Sequence, residues 1–304
     1  MEMSIETTTG ALSAVGLAMI IYGLVEFIYL AFISKKAPFR RHFLQPIKGV
    51  LSQAIAVALV QRATAIFTVA AAALVGATLA PLSLPDAWYS LLFALLIYEF
   101  WYWVQHYLGH KVRLLWCIHA PHHAPPTMHM LVGANRHFIE GIFYFPLFLG
   151  FIPALCGVPV EIIVLINLID GIWGSLLHIS PDVVKRRYGP LEYLLQTPSY
   201  HRVHHAKNPR YMDTNYNSVT LFWDWALGTL QPLKDDEPVR YGITRPLQTE
   251  SYWSVHFGEF RALWRDVAAA PGIWNKLAYL VMPPGWSHTG EHHTVAMQKN
   301  AEVL

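Results

Sequence analysis

Five stretches of this chain stay apolar for close to the roughly 20 residues a helix needs to cross a bilayer: residues 11–33, 51–80, 88–105, 141–156 and 160–178. Lipid offers the backbone no hydrogen-bond partners, so such stretches must satisfy their own N–H and C=O groups as helices. The chain is therefore expected to be all-α, an integral membrane bundle of about five spans with a helical cap. Composition agrees: 54% of the residues are hydrophobic and 14% charged, against about 25% charged in ordinary soluble domains. The mean hydropathy is +0.32. Gln61 and Arg62 interrupt the second stretch. Its best uninterrupted part is 63–80, and the part before Arg62 lies at the interface or extends the helix beyond the membrane. Glu2 and Glu6 make the N-terminus acidic, unlike a signal peptide, so the first stretch reads as a retained span.

Loop charges orient the bundle. Lys35, Lys36, Arg40 and Arg41 follow the first stretch, Lys111, Arg113 and Arg136 the third, and Lys185, Arg186 and Arg187 the fifth. The alternate loops, 81–87 and 157–161, contain no Lys or Arg. The positive-inside rule then sets the N-terminus outside and the C-terminus inside. A soluble protein with buried core helices, the competing reading, gives no reason for this asymmetry. The expected organisation is a transmembrane region over 1–180 and a cytosolic or interfacial part over 181–304, with one integrated catalytic domain across about 88–232. Within the second part, 188–196 and 219–230 are short apolar-periodic runs. Residues 253–270 suit either an amphipathic helix on the bilayer or a docked tail helix. The net charge of +2, without a basic stripe, argues against a nucleic-acid partner.

Histidine is the outlier. Eleven of the 16 histidines fall between His106 and His205. His106 and His110 are spaced H-x3-H; His119, His122 and His123 form H-x2-H-H; His201, His204 and His205 repeat it. Residues three and four apart share a helical face, so each motif can aim two imidazoles at one metal. The adjacent pairs, His122 with His123 and His204 with His205, point two ways and can address two metals. One H-x3-H would be weak evidence, because such pairs often cap helices or hydrogen-bond. Three motifs with eight histidines exceed the four ligands of a structural zinc site, and neutral imidazoles suit Zn, Cu, Fe and Ni. The loop charges put all of these histidines on the same side of the membrane, the cytoplasmic one. His178 ends the fifth stretch at the same depth and is read as a further ligand, while His137 reads either as ligand or as support. His129 is read as loop. His42, His256 and His288 fall outside the cluster, and His292 and His293 belong to a solvated tail. Glu99, Asp170, Asp224 and Glu140 are candidates to receive the imidazoles' outward N–H groups; Glu26 has no assigned partner. The two cysteines, Cys117 and Cys156, make neither a disulfide framework nor a zinc ribbon. Cys117 is read as a small buried hydrophobe.

With these motifs the sequence resembles the fatty acid hydroxylase/sterol desaturase superfamily of membrane di-iron enzymes, over roughly residues 98–231. The likeness extends to the flanks Gly189–Tyr193, Thr197–Tyr200, Asp213–Asn217 and Trp223–Thr229, which look most like the alkylglycerol monooxygenase-like and bacterial sterol-desaturase-like branches. The resemblance implies a helical membrane fold capped by a cytosolic domain that holds two iron ions, with zinc as a substitute on purification. It implies a ligand set of His106, His110, His119, His122, His123, His178, His201, His204 and His205. It also implies O2-dependent hydroxylation of a lipid C–H bond, the lipid being fatty acyl, sterol, or an ether or amino lipid. The chain departs from the pattern in joining the fourth and fifth stretches by only a short turn. No haem-binding electron-donor module is recognised in it, so electrons are expected from a separate ferredoxin- or cytochrome b5-type protein with its reductase. The expected location is the bacterial inner membrane or the ER membrane. Phe100, Trp101, Tyr102, Trp103 and Trp116 line a substrate slot or form an interfacial aromatic belt.

Rival readings differ in chemistry or class. A lipid desaturase would use the same site and differ only in substrate placement. A membrane metal-binding protein or transporter would spread its histidines and acids near the midplane, whereas here they gather at one surface. A membrane zinc hydrolase would need about three ligands and a general base, and the chain has no HExxH.

Overall fold

The fold is described from a computed structural model covering residues 5–34, 39–63, 69–185 and 187–303. Glu2, Lys35, Lys36, Arg186 and residues 64–68 of the second apolar stretch lie outside the described residues. The chain is all-helical, as its apolar stretches require. Extended pairing among the described residues is limited to two isolated bridges, Leu195 with Thr220 and Ala206 with Tyr241.

Helix α1, Ile5–Ile28, continues through a π-turn to Ile33. The second stretch forms two helices, α2 over Phe39–Ala63 and α3 over Val69–Leu79. Then come α4, Trp88–Lys111, and α5, Arg113–His123. The short α6 spans Met130–Ala134, and a mostly π-helical run over residues 140–151 leads into α7, Ile152–Leu155. Helix α8 covers Val160–Leu177. By length and hydropathy α8 alone among the described helices suffices to cross a membrane, and 17% of its apolar window is buried inside the protein. The apolar segments Leu17–Ile33, Phe43–Leu59, Val69–Leu79 and Glu140–Leu155 are shorter.

Small residues draw the apolar helices together. Ala73 of α3 and Ala94 of α4 pack with Tyr98, Leu149, Ala154, Val158, Ile163 and Ile166 in one cluster. At Gly76 a Cβ would lie 2.3 Å from the Phe151 carbonyl, so α3 can approach this closely only as glycine. The turn into α8 needs Gly157, which has φ +88° and where a Cβ would meet the Leu82 carbonyl at 2.7 Å. Its own carbonyl accepts from Leu84 N at 2.8 Å. This bond joins the two loops that lack Lys and Arg at one end of the bundle, and the histidines lie at the opposite ends of α4 and α8.

Beyond α8 the chain makes a 3-10 turn at Gly189–Tyr193, α9 at Pro198–His204 and α10 at Phe222–Ala226. The two apolar-periodic runs thus fold into short turns joined by the Leu195–Thr220 bridge. Helix α11, Tyr252–Ala269, starts at Ser251, whose side chain accepts from Ser254 N. Helices α12, Gly272–Val281, and α13, Val295–Val303, complete the chain. Helix α11 is a docked tail helix: Leu263 packs with Cys117 of α5, Ala270 and Tyr279, while Trp253 and Trp264 face outward. Cys117 is the buried hydrophobe its neighbours require, and Cys156 is exposed. Glu26 gains partners that the sequence did not reveal: its carboxylate accepts from Met130 N at 2.8 Å and Ser180 N at 2.7 Å, tying α1 to both sides of the site.

Candidate metal centre

Val112 adopts an extended conformation between α4 and α5, and this corner folds α5 back against the end of α4. His106 and His110 thereby meet His119 and His123, and His204 of α9 joins them. His122, His178, His201 and His205 form a second group. All nine are buried, and within each group one ring nitrogen per residue lies within 4.8 Å of every other. Both H-x2-H-H motifs divide the same way. Residues four apart stay together, His119 with His123 and His201 with His205, and the third histidine crosses to the other group. With 3.6 residues per turn, positions i+3 and i+4 fall on opposite sides of position i. The spacing leaves both i+3 and i+4 open as the shared pair and lets the adjacent histidines address two metals; in the fold i+4 is the shared spacing, and the adjacent histidines go to different groups.

Six of the nine outward nitrogens have an acceptor beside them, while that of His201 is buried without one. His106 Nδ1 donates to the Tyr216 carbonyl at 2.7 Å, and His204 Nδ1 to that of Thr214 at 2.8 Å. His119 Nδ1 donates to the Glu140 carboxylate at 2.8 Å, and His110 Nδ1 lies 3.4 Å from Asp213. In the second group His122 Nδ1 donates to the Val132 carbonyl at 3.0 Å and His178 Nδ1 to that of Gly174. A ring that donates through Nδ1 carries a bare lone pair on Nε2. The Nε2 atoms of His122 and His178 are 3.4 Å apart, so two lone pairs face each other. His205 Nε2 lies 3.1 and 3.2 Å from those two atoms, and His201 Nε2 lies 2.9 Å from that of His178. In the first group the Nε2 atoms of His106, His110 and His204 are buried without a hydrogen-bond partner. Buried lone pairs left this way are costly, and a cation in each group would satisfy them. The residues present therefore fit two metal ions, and an all-imidazole donor set admits iron as well as zinc.

Burial, reinforced by neighbouring imidazoles, pushes His123, His201, His204 and His205 well below the usual histidine range. His122 is lowered as far, by burial and then by the Arg136 charge. Burial lowers His119 to about 4, even though Glu140 pulls the other way. These rings are thus neutral near pH 7, as metal ligands must be.

The candidate acids act at two distances. Glu140 touches His119 directly. Glu99, Asp170 and Asp224 instead pin the loop that carries the Tyr216 carbonyl. Glu99 accepts from Val219 N at 2.7 Å and Thr220 N at 3.0 Å, and Asp224 from Tyr216 N and Asn217 N at 2.8 Å each. Asp170 accepts from Ser218 and, at 3.2 Å, from Tyr98. Asp213 was missed from sequence. Burial alone would raise its carboxyl, but the hydrogen bonds from His110 and Lys111 and the Lys111 charge hold it below the usual range. Asp213 and Asn215 have φ of 57° and 58° and flank Thr214, aiming its carbonyl at His204. Asp and Asn tolerate that left-handed geometry better than other side chains. Gly133 is a second such signal, since a Cβ there would lie 2.8 Å from His178 Nδ1.

His137 joins neither group; it is buried beside Phe138, with its ring 5.8 Å from that of His256. His256 is likewise buried, and His129 stacks on Phe43. A cavity of about 550 Å3 opens onto His110, His123 and His204. Trp116 lines it; Phe100, Trp101, Tyr102 and Trp103 do not. His293 lines its rim and is exposed, as the solvated-tail reading expects.

Residues 91–229, which supply all nine clustered histidines, match the family model described as fatty acid hydroxylase. That segment is similar to the fatty acid hydroxylase family over just under half of the chain. The chain is 35% identical over 191 residues to alkylglycerol monooxygenase of Danio rerio, covering 62% of this chain and 40% of that protein. Against the Homo sapiens protein of the same name it is 33% identical over 210 residues, 68% of this chain and 44% of the relative. Against ornithine lipid hydroxylase OlsE of Rhizobium tropici it is 33% identical over 164 residues, 53% and 48% respectively. The chain thus spans less than half the length of these curated relatives. No solved structure matches it.

Proposed function

We propose that this protein is a membrane-bound di-iron oxygenase that hydroxylates a C–H bond of a lipid, with O2 as co-substrate and electrons from a separate ferredoxin- or cytochrome b5-type donor. The observation that carries the reading is the pair of buried histidine groups, four and five rings, with lone pairs converging and six of the outward nitrogens beside an acceptor. His106, His110, His119, His123 and His204 would hold one iron, and His122, His178, His201 and His205 the other. Iron bound there would supply the activation of O2 that an unactivated C–H bond requires.

The chain's own residues perform the remaining tasks. The Tyr216, Thr214, Val132 and Gly174 carbonyls fix four rings in the Nδ1–H tautomer, so each presents Nε2 inward. Glu140 does the same for His119 and makes the ring more electron-donating through a charge-assisted hydrogen bond. The burial of all nine rings excludes water from the space between them, which limits side reactions of a strong oxidant. The cavity at His110, His123 and His204 leaves one face of the five-histidine group reachable by a substrate. The apolar helices and the lipid-modifying relatives support a membrane lipid as that substrate, and the histidine ends of α4 and α8 support a site on the cytoplasmic face. On this reading residues 1–180 form the membrane region and 181–304 complete the site, within a catalytic unit over about 88–232.

Comparative lipid mass spectrometry of cells expressing the protein or its His204→Ala variant tests this. A lipid gaining one oxygen only with the intact protein is expected. Loss of two hydrogens instead would make it a desaturase, and equal products from both cells would remove the histidine groups from the chemistry.

A further inference from the structure

Helices α4 and α8 start from the same end of the bundle and together form a depth scale. Tyr98 of α4 and Asp170 of α8 are joined at 3.2 Å, and eight residues further along each chain stand His106 and His178. The histidines therefore mark one level, the end of α8. At about 1.5 Å per residue the 18 residues of α8 reach roughly 27 Å, close to the ~30 Å of a bilayer's hydrocarbon.

The chain after α9 does not stay at the histidine level. The Tyr216 carbonyl meets His106, Val219 N then donates to Glu99 at 2.7 Å, and Trp223 Nε1 donates to the Leu96 carbonyl at 3.0 Å. Thr229 comes back to Trp103, whose Nε1 donates to it at 3.1 Å. Residues 216–229 thus descend along α4 and return, and their deepest partner, Leu96, lies roughly 15 Å below His106. The segment before α9 is held down with them. Its Gln196 carbonyl accepts from Trp173 of α8 at 2.9 Å, and its Leu194 carbonyl from Leu221 N at 3.0 Å.

Polar groups in these turns face inward and apolar ones outward. Asp224 and Glu99 are buried, and they accept the backbone N–H groups of Tyr216, Asn217, Val219 and Thr220. Non-helical backbone is tolerated at membrane depth only where protein satisfies it in this way. Tyr193, Leu194 and Trp225 are 85%, 71% and 70% exposed, and Leu191, Phe222 and Leu227 are exposed beside them. A contiguous apolar face of this kind marks an interaction surface. The exposed cations Lys185 and Arg187 precede the descent, just after α8 ends.

We propose that residues 189–195 and 219–229 form a re-entrant element immersed in the cytoplasmic half of the bilayer, with lipid acyl chains covering its exposed face. The proposal rests on the membrane reading of α4 and α8. It goes beyond that reading by placing part of the chain after residue 181 inside the hydrocarbon.

The test uses the full chain in phosphatidylcholine nanodiscs with a Cys156→Ser background, Cys117 being buried. The fluorophore NBD is attached at Trp225→Cys or Leu194→Cys, positions whose side chains are mostly exposed. Ile169→Cys on the exposed face of α8 is the membrane reference, and Asp236→Cys, 71% exposed at its side chain, is the water reference. Iodide reports water, and phosphatidylcholine carrying a doxyl group on acyl carbon 5 or 12 reports lipid and depth. At Trp225 and Leu194, loss of iodide quenching to the Ile169 value is expected, with strong doxyl quenching. At Trp225 carbon 12 should quench more than carbon 5. Iodide quenching equal to that of Asp236, with Ile169 still protected, would overturn this proposal alone. So would protection from both quenchers, which would mean that a protein covers the face, or stronger quenching from carbon 5 at Trp225, which would put the turn at the interface. An iodide-accessible Ile169 label would instead bring down the membrane reading, and the proposal with it.

Discussion

Replacing Glu140 should loosen one metal and leave the other in place. Its carboxylate is fully buried and accepts the Nδ1–H of His119 at 2.8 Å, with the Arg136 guanidinium 3.7 Å away. Glu140→Ala removes the acceptor, and the ring is then free to turn or to change tautomer. A charge-assisted hydrogen bond contributes about 1.5–3 kcal/mol, and loss of such an outer partner lowers metal affinity roughly 10–100-fold. The two figures agree, since each tenfold is about 1.4 kcal/mol. Glu140→Gln keeps an oxygen for the N–H and gives up the charge, so its loss should fall at the low end. The assay is chelator competition on anaerobically purified protein, counting iron retained per chain. His119 belongs to the five-histidine group, so near the midpoint Glu140→Ala should retain about one iron where the parent retains two. Asp236→Ala breaks an exposed ion pair with Arg210 and should change nothing measurable. Equal loss of both irons, or parent-like retention in Glu140→Ala, would refute the assignment of Glu140 to one metal.

Two further outcomes follow from the same geometry. Gly133→Val forces bulk into the space beside His178 Nδ1, where even a Cβ would stand at 2.8 Å; the four-histidine group should lose its metal first, the mirror of the Glu140 result, in the same competition assay. Acidification should release metal and destabilise the fold together. The His119 pKa is lowered in the folded state to about 4 from 6.5, so its contribution is complete above pH 6.5 and is lost as pH falls toward 4. The other lowered rings of the two groups add to the slope in the same direction. Circular dichroism and released iron should titrate together through that window, and a stable, metal-loaded protein at pH 4 would contradict it.

The helical architecture and the candidate ligands could be read from the sequence because both rest on local periodicity. A run of apolar residues dictates a helix, and histidines at fixed spacings on short helices dictate which rings can converge. The division of His119, His122 and His123 between groups was only partly legible, because spacing fixes angles around one helix and says nothing about where the second group sits. The carbonyls that orient the rings were invisible: Tyr216 and Thr214 offer only backbone, and their placement depends on Glu99, Asp170 and Asp224 pinning a loop more than 40 residues away in sequence from two of these acids. Asp213 and Asn215 carried a faint signal as residues that tolerate positive φ. The cavity wall was the least legible part, since Arg245, Glu259 and His293 belong to a segment without motif that reaches the site only through the docking of α11 and the return of the C-terminal chain.

The most direct test is a metal count on the intact chain, purified without oxygen and assayed for lipid oxidation before and after iron removal. Two histidine groups built as described predict about two irons per chain, loss of oxidation when iron is stripped, and recovery when ferrous iron is returned. Stoichiometric zinc with oxidation unchanged after iron removal would contradict the di-iron reading.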